Sequence, residues 1–437
     1  MEKLFSDFTP ISAGEWKNQI IKDLKGVDYE KLVWHRNDGI NIEPFYTNEG
    51  EITSPLFSHA GWDICEQITV TNETEANKRA LEALKGGASG LSFYIRKKID
   101  TNILLKGISL EHIYTQFFIS NDALHVLDDL KDIYGKKNPH DGKVKCFVNI
   151  DPINLFAYYG EWHNSEEKDL QVIEQLKHIP VNASLYQEAG ANTTTELALA
   201  LAHANEYFNC LSEKNALKDK IIHLTVSIGN DFFGEIAKLR AIRKLVALLQ
   251  KTYQTNFPIH IHGQTSQLNK SYLDANTNML RTTTEGMSAI IGGCDSLCVL
   301  PYNENFEEAN SFSSRISRNQ QHLYKEESYL DKVSDISAGS YYIESVTEEL
   351  AQKAWDEFKA IEAAGGLIEG LKSGSIQQKI KEQAEQLITQ FKEEKFVLVG
   401  VNKFQNKSEK QKLNVKTPNT KGIRPICLTD YLVKENA

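Results

Sequence analysis

The sequence has no CxxC pair and no apolar run approaching the ~20 residues that a membrane-crossing helix needs. Its six cysteines stand at 65, 146, 210, 294, 298 and 427, and only Cys294 and Cys298 are near each other. With no second pair to complete a zinc site, buried thiols are expected rather than metal ligands. Basic clusters are missing too. Lys and Arg number 49 against 59 Asp and Glu, for a net charge of -10 and a pI of about 5.7. Neutralising a phosphate backbone takes clustered cations, so no nucleic-acid partner is expected. The acidity reads as a solvated surface that keeps the protein soluble. The opening Met1-Glu2-Lys3-Leu4-Phe5-Ser6-Asp7 lacks a basic region followed by an apolar core, so no secretory signal is read there. A cytoplasmic protein with reduced thiols and no membrane partner is expected.

What is present is ordinary globular composition, 41% hydrophobic and 25% charged. The length suits two or three domains, or one large barrel with extensions. An amphipathic helix is predicted over 13–24, with Trp16, Ile20, Ile21 and Leu24 at helical spacing. Residues 32–35 and 42–47 read as extended, since Pro44 restricts its predecessor. Strands are predicted at 62–70, 91–95, 112–119, 144–150, 181–186, 222–226, 258–262 and 296–300. Helical stretches separate them, notably 194–207, 235–253 and 271–289, and Asn72 followed by Glu75 marks a helix start. Eight strands alternating with helices predict an α/β fold, a (β/α)₈ TIM barrel. A doubly wound open sheet is the alternative, but no GxGxxG follows the first strand. Beyond 346 the pattern turns helical, over 348–364 and 375–392 with a Gly365-Gly366 break, then strand-like over 396–401. The Lys-rich tail from Lys403 reads as a mobile end or an arm that orders on a partner. The expected division is an N-terminal helical and extended arm (1–55), the barrel (56–345) and a C-terminal helical extension and tail (346–437).

Barrel chemistry sits at the C-terminal ends of strands. The fifth predicted strand runs into Gln187-Glu188-Ala189-Gly190-Ala191, and the sixth leads to Asn230-Asp231-Phe232-Phe233-Gly234. The seventh ends in His262-Gly263-Gln264-Thr265-Ser266. After the eighth come Phe312-Ser313-Ser314-Arg315-Ile316-Ser317-Arg318-Asn319, and Gly400-Val401-Asn402-Lys403 stands near the end. In order and spacing, these motifs resemble the methylmalonyl-CoA mutase family across 62–403, with Trp34 and Pro44-Phe45-Tyr46-Thr47 similar to its leader.

The resemblance implies a barrel threaded by the CoA tail of an acyl-CoA, with adenosylcobalamin supplying a radical at the other mouth. It also shows where this chain departs. Catalytic members carry Tyr-His-Met ahead of Gln-Glu-Ala-Gly-Ala, and that His position is Leu185 here, which can donate nothing. In the Tyr-x-Phe-Arg-Pro-Trp-Thr-x-Arg-Gln-Tyr run of those members, aligned on Trp62, the first Tyr becomes Phe57. The Args become Ala60 and Cys65, and the last Tyr becomes Gln67. Phe57 and Leu185 thus read as filling where a substrate would sit, and no catalytic residue is expected. The Asp-x-His-x-x-Gly mark of a cobalamin-binding domain does not occur. No cofactor is expected on this chain, and adenosylcobalamin would enter the complex through a catalytic large subunit. The resemblance is therefore to the small, non-catalytic subunit, stabilising the large one in a heterodimer. The alternative is an acyl-CoA mutase or CoA-ester-binding barrel that borrows a separately encoded cobalamin domain.

Gln187, Glu188, His262, Gln264, Arg315 and Arg318 are the candidates for substrate-binding or vestigial positions. The simpler reading has the first four bonding one another and loop backbone at the barrel rim. It has Arg315 and Arg318 pairing with acids such as Glu304, Glu307 and Glu308. His260 and His262 share a strand face, with no third ligand to make a metal site.

Overall fold

Short apolar runs between turn residues give eight parallel strands in the computed structural model, which describes residues 7–9, 11–47, 57, 60–120, 124–136, 145–406 and 420–433. Numbered within the barrel, they are β1 Asp63–Thr69, β2 Gly90–Ile95, β3 Tyr114–Ile119, β4 Cys146–Asn149, β5 His178–Asn182, β6 Ile221–Ile228, β7 Ile259–Thr265 and β8 Ser296–Cys298. Hydrogen-bonded neighbours run β4-β3-β2-β1-β8-β7-β6-β5. This is the expected α/β TIM barrel, closed except for one seam between β4 and β5. That seam has no ladder pairing among the described residues, and side chains bridge it. Asn182 N–H donates to Asp151 Oδ2 at 2.7 Å, and Asn154 Nδ2 donates to the Asn182 carbonyl at 3.0 Å.

Helices cover the outside, several of them begun by a side chain that takes an otherwise unpaired N–H. Asn72 caps Glu73–Lys85, Asn192 caps Thr193–Glu213 and Asp231 caps Phe232–Thr252. The Ala/Leu run of Thr193–Glu213 is buried all round, because Tyr341–Ala363 packs over both it and Phe232–Thr252. Ahead of the barrel come the helix Ala13–Asp23 and an antiparallel ribbon, Trp34–His35 against Asn41–Ile42.

Three local expectations need correction. The fifth strand is His178–Asn182 rather than 181–186, and Ser184–Glu188 is a short helix. Pro180 does not end the strand, because β5 is a sheet edge where a missing N–H breaks no ladder. Residues 396–401 form a turn rather than a strand, closed by Gly400 N–H donating to Lys403 O at 2.7 Å. Gly400 sits at φ +79, a left-handed conformation that glycine adopts without penalty. The tail is the third. Residues 407–419 lie outside the described residues, but 420–433 dock along the C-terminal rim from β4 to β7. Ile423 N–H donates to Ala157 O at 2.7 Å, Ile426 N–H to Glu188 O at 2.8 Å and Leu428 N–H to Leu268 O at 3.0 Å.

Candidate functional site

The barrel axis is filled. Tyr114 from β3 stacks on His260 from β7 at 5.0 Å, and Phe147 from β4 lies 4.3 Å from His223 of β6 and 4.9 Å from His260. Cys65, Cys298 and Leu300 pack against Tyr114 and Phe147. Gly90 in β2 is a glycine for want of room, since a Cβ there would stand 2.6 Å from Cys65 Sγ.

The filling is not merely apolar. Tyr114 Oη donates to Gln116 Oε1 at 3.0 Å, so its contact with His223 Nε2 at 2.9 Å requires that nitrogen to carry the proton. Gln116 Nε2 donates to Ser92 Oγ at 2.5 Å and to His262 Nε2 at 2.9 Å. His262 therefore has its proton on Nδ1, which reaches Ser296 Oγ at 2.8 Å, and Ser296 also meets His260 Nε2 at 3.0 Å. Burial holds these rings neutral: His262 and His178 are pushed down to about 3 and His260 to about 4, and His223 moves the same way. Asp295 and Asp63 favour a charged His260, but burial outweighs them, so the network is a packed interior of neutral donors and acceptors.

Gln187 and Glu188 lie on the helix after β5. Both oxygens of Glu188 accept from Gln267 N–H at 3.1 Å, and its carboxylate also accepts from the Ser227 hydroxyl. Burial raises its pKa above the usual carboxylate range, partly offset by those bonds. Gln187 Nε2 donates to Glu235 Oε1 at 3.1 Å. Glu235 in turn meets Lys238 at 2.6 Å, and Lys238 bridges to Glu196 at 3.0 Å and to Ser227 O at 2.6 Å. Gln264 Oε1 accepts from Tyr94 Oη at 3.0 Å.

The remaining candidates lie elsewhere. Phe57 packs against Gly293 and Arg243, before β8 begins, and so at the N-terminal end of the barrel. Leu185 is buried at the C-terminal end, after β5. The two positions read from sequence as one cavity are at opposite ends. Arg318 pairs with Glu66 and donates to Gly86 O at 3.3 Å, rather than to the acids at 304–308. Arg315 is exposed, its guanidinium 5.7 Å from the Phe312 ring.

Above the filled lumen, a cavity of ≈ 460 Å³ opens at the C-terminal ends of β2 to β6. Tyr94 and Phe118, stacked at 4.5 Å, form one wall, with Tyr158 and the exposed Arg96 on the rim. Asn149 Oδ1 and Ser120 Oγ line it, each buried with no protein hydrogen-bond partner among the described residues.

The family model for methylmalonyl-CoA mutase matches residues 93–426, most of the barrel and both of its mouths. This chain belongs to the methylmalonyl-CoA mutase family. It is 36% identical over 446 residues to the methylmalonyl-CoA mutase small subunit of Porphyromonas gingivalis, covering 93% of this chain and 72% of that one. It is 27% identical to the methylmalonyl-CoA mutase of Rhizobium meliloti, covering 90% of this chain and 64% of that one. The human mitochondrial mutase is also 27% identical, over 90% of this chain and 61% of its own length. The chain thus spans less than two thirds of the length of those two mutases.

Within this family member, one hub escaped sequence reading. Asp151, just past β4, accepts from Tyr207 Oη at 2.6 Å, from His203 Nε2 at 2.9 Å and from Asn154 N–H at 2.9 Å. Its other oxygen takes Asn182 N–H, so both carboxylate oxygens are engaged and the group ties the seam to the helix Thr193–Glu213. Asp151-Pro152 as an N-cap and first helical residue was the available signal.

Proposed function

We propose that this chain is the non-catalytic small subunit of an adenosylcobalamin-dependent methylmalonyl-CoA mutase. In this reading it pairs with a catalytic large subunit and stabilises it, since a partner that binds only the folded form shifts folding by mass action. The observation that carries the reading is the occupied axis: the Tyr114, Phe147, His223 and His260 rings pack where a CoA tail would run. Leu185, which offers no hydrogen bond where catalytic members have an imidazole, supports it. Adenosylcobalamin would supply the radical in the assembled enzyme. What supports placing it on the large subunit is the rim of this barrel, taken from β4 to β7 by residues 420–433 of the same chain. The described residues there do not fit a macrocycle.

The test is turnover of methylmalonyl-CoA with added adenosylcobalamin. The chain alone is expected to be inactive, and the co-expressed pair active as a heterodimer. Turnover by the chain alone would refute the reading.

The ≈ 460 Å³ cavity favours a second reading, a barrel that still binds a CoA ester at its C-terminal mouth. Calorimetry of the purified chain with methylmalonyl-CoA separates the two. Micromolar binding supports the second reading, and no heat supports the first.

A further inference from the structure

We propose that the ≈ 460 Å³ cavity at the C-terminal mouth binds a nucleoside monophosphate, its base stacked beside Phe118 and its phosphate held at the rim by Arg96 and Arg424. This ligand is distinct from the CoA ester of the second reading above, because the filled axis beneath leaves no path for a long tail.

Strand register makes the site. Residues that pair across neighbouring strands share a face of the sheet. The uppermost lumen-facing positions are Tyr94, Phe118 and Asn149 across β2 to β4, and then Asn182 and Thr225 across β5 and β6. The first two are aromatic, stacked at 4.5 Å with their planes 22° apart. The other three are short and polar, and the room they leave is the cavity. A planar ring that continues the Tyr94–Phe118 stack therefore lies over Asn149. That residue is only 5% exposed. Its Nδ2 donates to Gln116 Oε1 at 3.4 Å, while its Oδ1 has no protein partner among the described residues. Ser120 Oγ on the same wall is buried and unpartnered too. Buried acceptors left open are costly, so the two together point to a ligand that brings N–H donors. The edge of a base supplies them, and its face supplies the stack.

The mouth is cationic in a chain of net charge -10. Arg96-Lys97-Lys98 follow β2, and all three are exposed. Burial raises the Tyr158 phenol, and the guanidinium groups of Arg96 and Arg424 pull it the other way, so both stand near that hydroxyl. Tyr158 lines the cavity. Arg424 arrives on the docked segment 420–433 and donates to Thr420 O at 3.4 Å. Neither guanidinium is in a salt bridge among the described residues. Two such forks suit the several oxygens of a phosphate. An aromatic carboxylate would lack the N–H donors that Asn149 and Ser120 call for, and a sugar phosphate would lack the flat face. A nucleoside monophosphate has both, and the cavity lies in the size range of small-molecule sites.

The experiment is calorimetry of the full chain with AMP, GMP, CMP and UMP, beside inorganic phosphate, the four nucleosides and methylmalonyl-CoA. At least one nucleotide is expected to bind 1:1 and at least 10-fold more tightly than its nucleoside or phosphate alone. Arg96→Gln and Phe118→Leu are each expected to weaken it about 10-fold or more. Lys251→Gln removes a charge at the far end of helix Phe232–Thr252 and is expected to change nothing. Melting temperatures check that the variants fold, and should Phe118→Leu fail to fold, the exposed Arg96 decides alone. No heat with any nucleotide overturns the proposal, as does a nucleotide whose binding Arg96→Gln leaves intact. Phosphate binding as tightly as the nucleotides overturns the part given to the base. Methylmalonyl-CoA binding that Phe118→Leu weakens, with no nucleotide bound, assigns the cavity to the CoA ester instead.

Discussion

His262 and its neighbours stay neutral in the lumen, and this makes folding sensitive to acid. The unfolded chain takes up protons on these imidazoles below about pH 6.5, whereas the folded chain resists until about pH 3 to 4. Between those limits the unfolded state binds more protons, so stability falls as pH falls. Glu196 works the opposite way. Burial raises it from 4.5 to about 7, so its unfavourable effect grows as pH rises through that interval. A difference between variants isolates the imidazole. Thermal melts from pH 7 to 4 are expected to show a shallower loss in His262→Gln than in wild type. The gap should be at most ~1.4 kcal/mol per pH unit, and identical slopes would refute it. A second residue-scale expectation concerns Lys238, whose ammonium lies between Glu196 and Glu235 with all three buried. Lys238→Met is expected to cost about 3–5 kcal/mol in urea unfolding, because two buried carboxylates lose the cation between them. Adding Glu196→Gln and Glu235→Gln should recover part of it.

Among the elements, the docked segment 420–433 offers the sharpest local test. Gly422 lies so close to the chain after β4 that a Cβ would stand 2.1 Å from Ala157 O and 2.8 Å from Tyr158 O. Backbone cannot step aside cheaply, so Gly422→Ala is expected to cost about 1–3 kcal/mol. The same change should raise hydrogen exchange across 420–433 while β6 keeps its protection. The eight strands and most helices were legible because their periodicity was strong. The fifth strand slipped because Pro180 reads as a stop, and only the sheet order reveals that β5 is an edge. Placing Phe57 with Leu185 failed for a related reason: a motif gives neighbours along the chain, whereas the end of the barrel is set by which side of a strand a residue falls on. The filled lumen was anticipated as apolar. Its polar half was hidden, because Tyr114 and Gln116, His223 and His262 come from three different strands and no local pattern links them.

At the scale of the whole molecule, the pair of subunits and the cavity above the lumen carry the functional questions, and the unbonded seam carries a mechanical one. The sheet's two ends, β4 and β5, are also consecutive along the chain. The connection between them, unlike every other, crosses a place where no ladder has to be kept. A break in the exposed turn at Asn164 would leave each part with its own four strands, and the β1–β8 pairing would rejoin them. Two separately produced polypeptides, 1–163 and 164–437, are therefore expected to co-purify as a reconstituted barrel, while division inside any bonded pair of strands should yield aggregates.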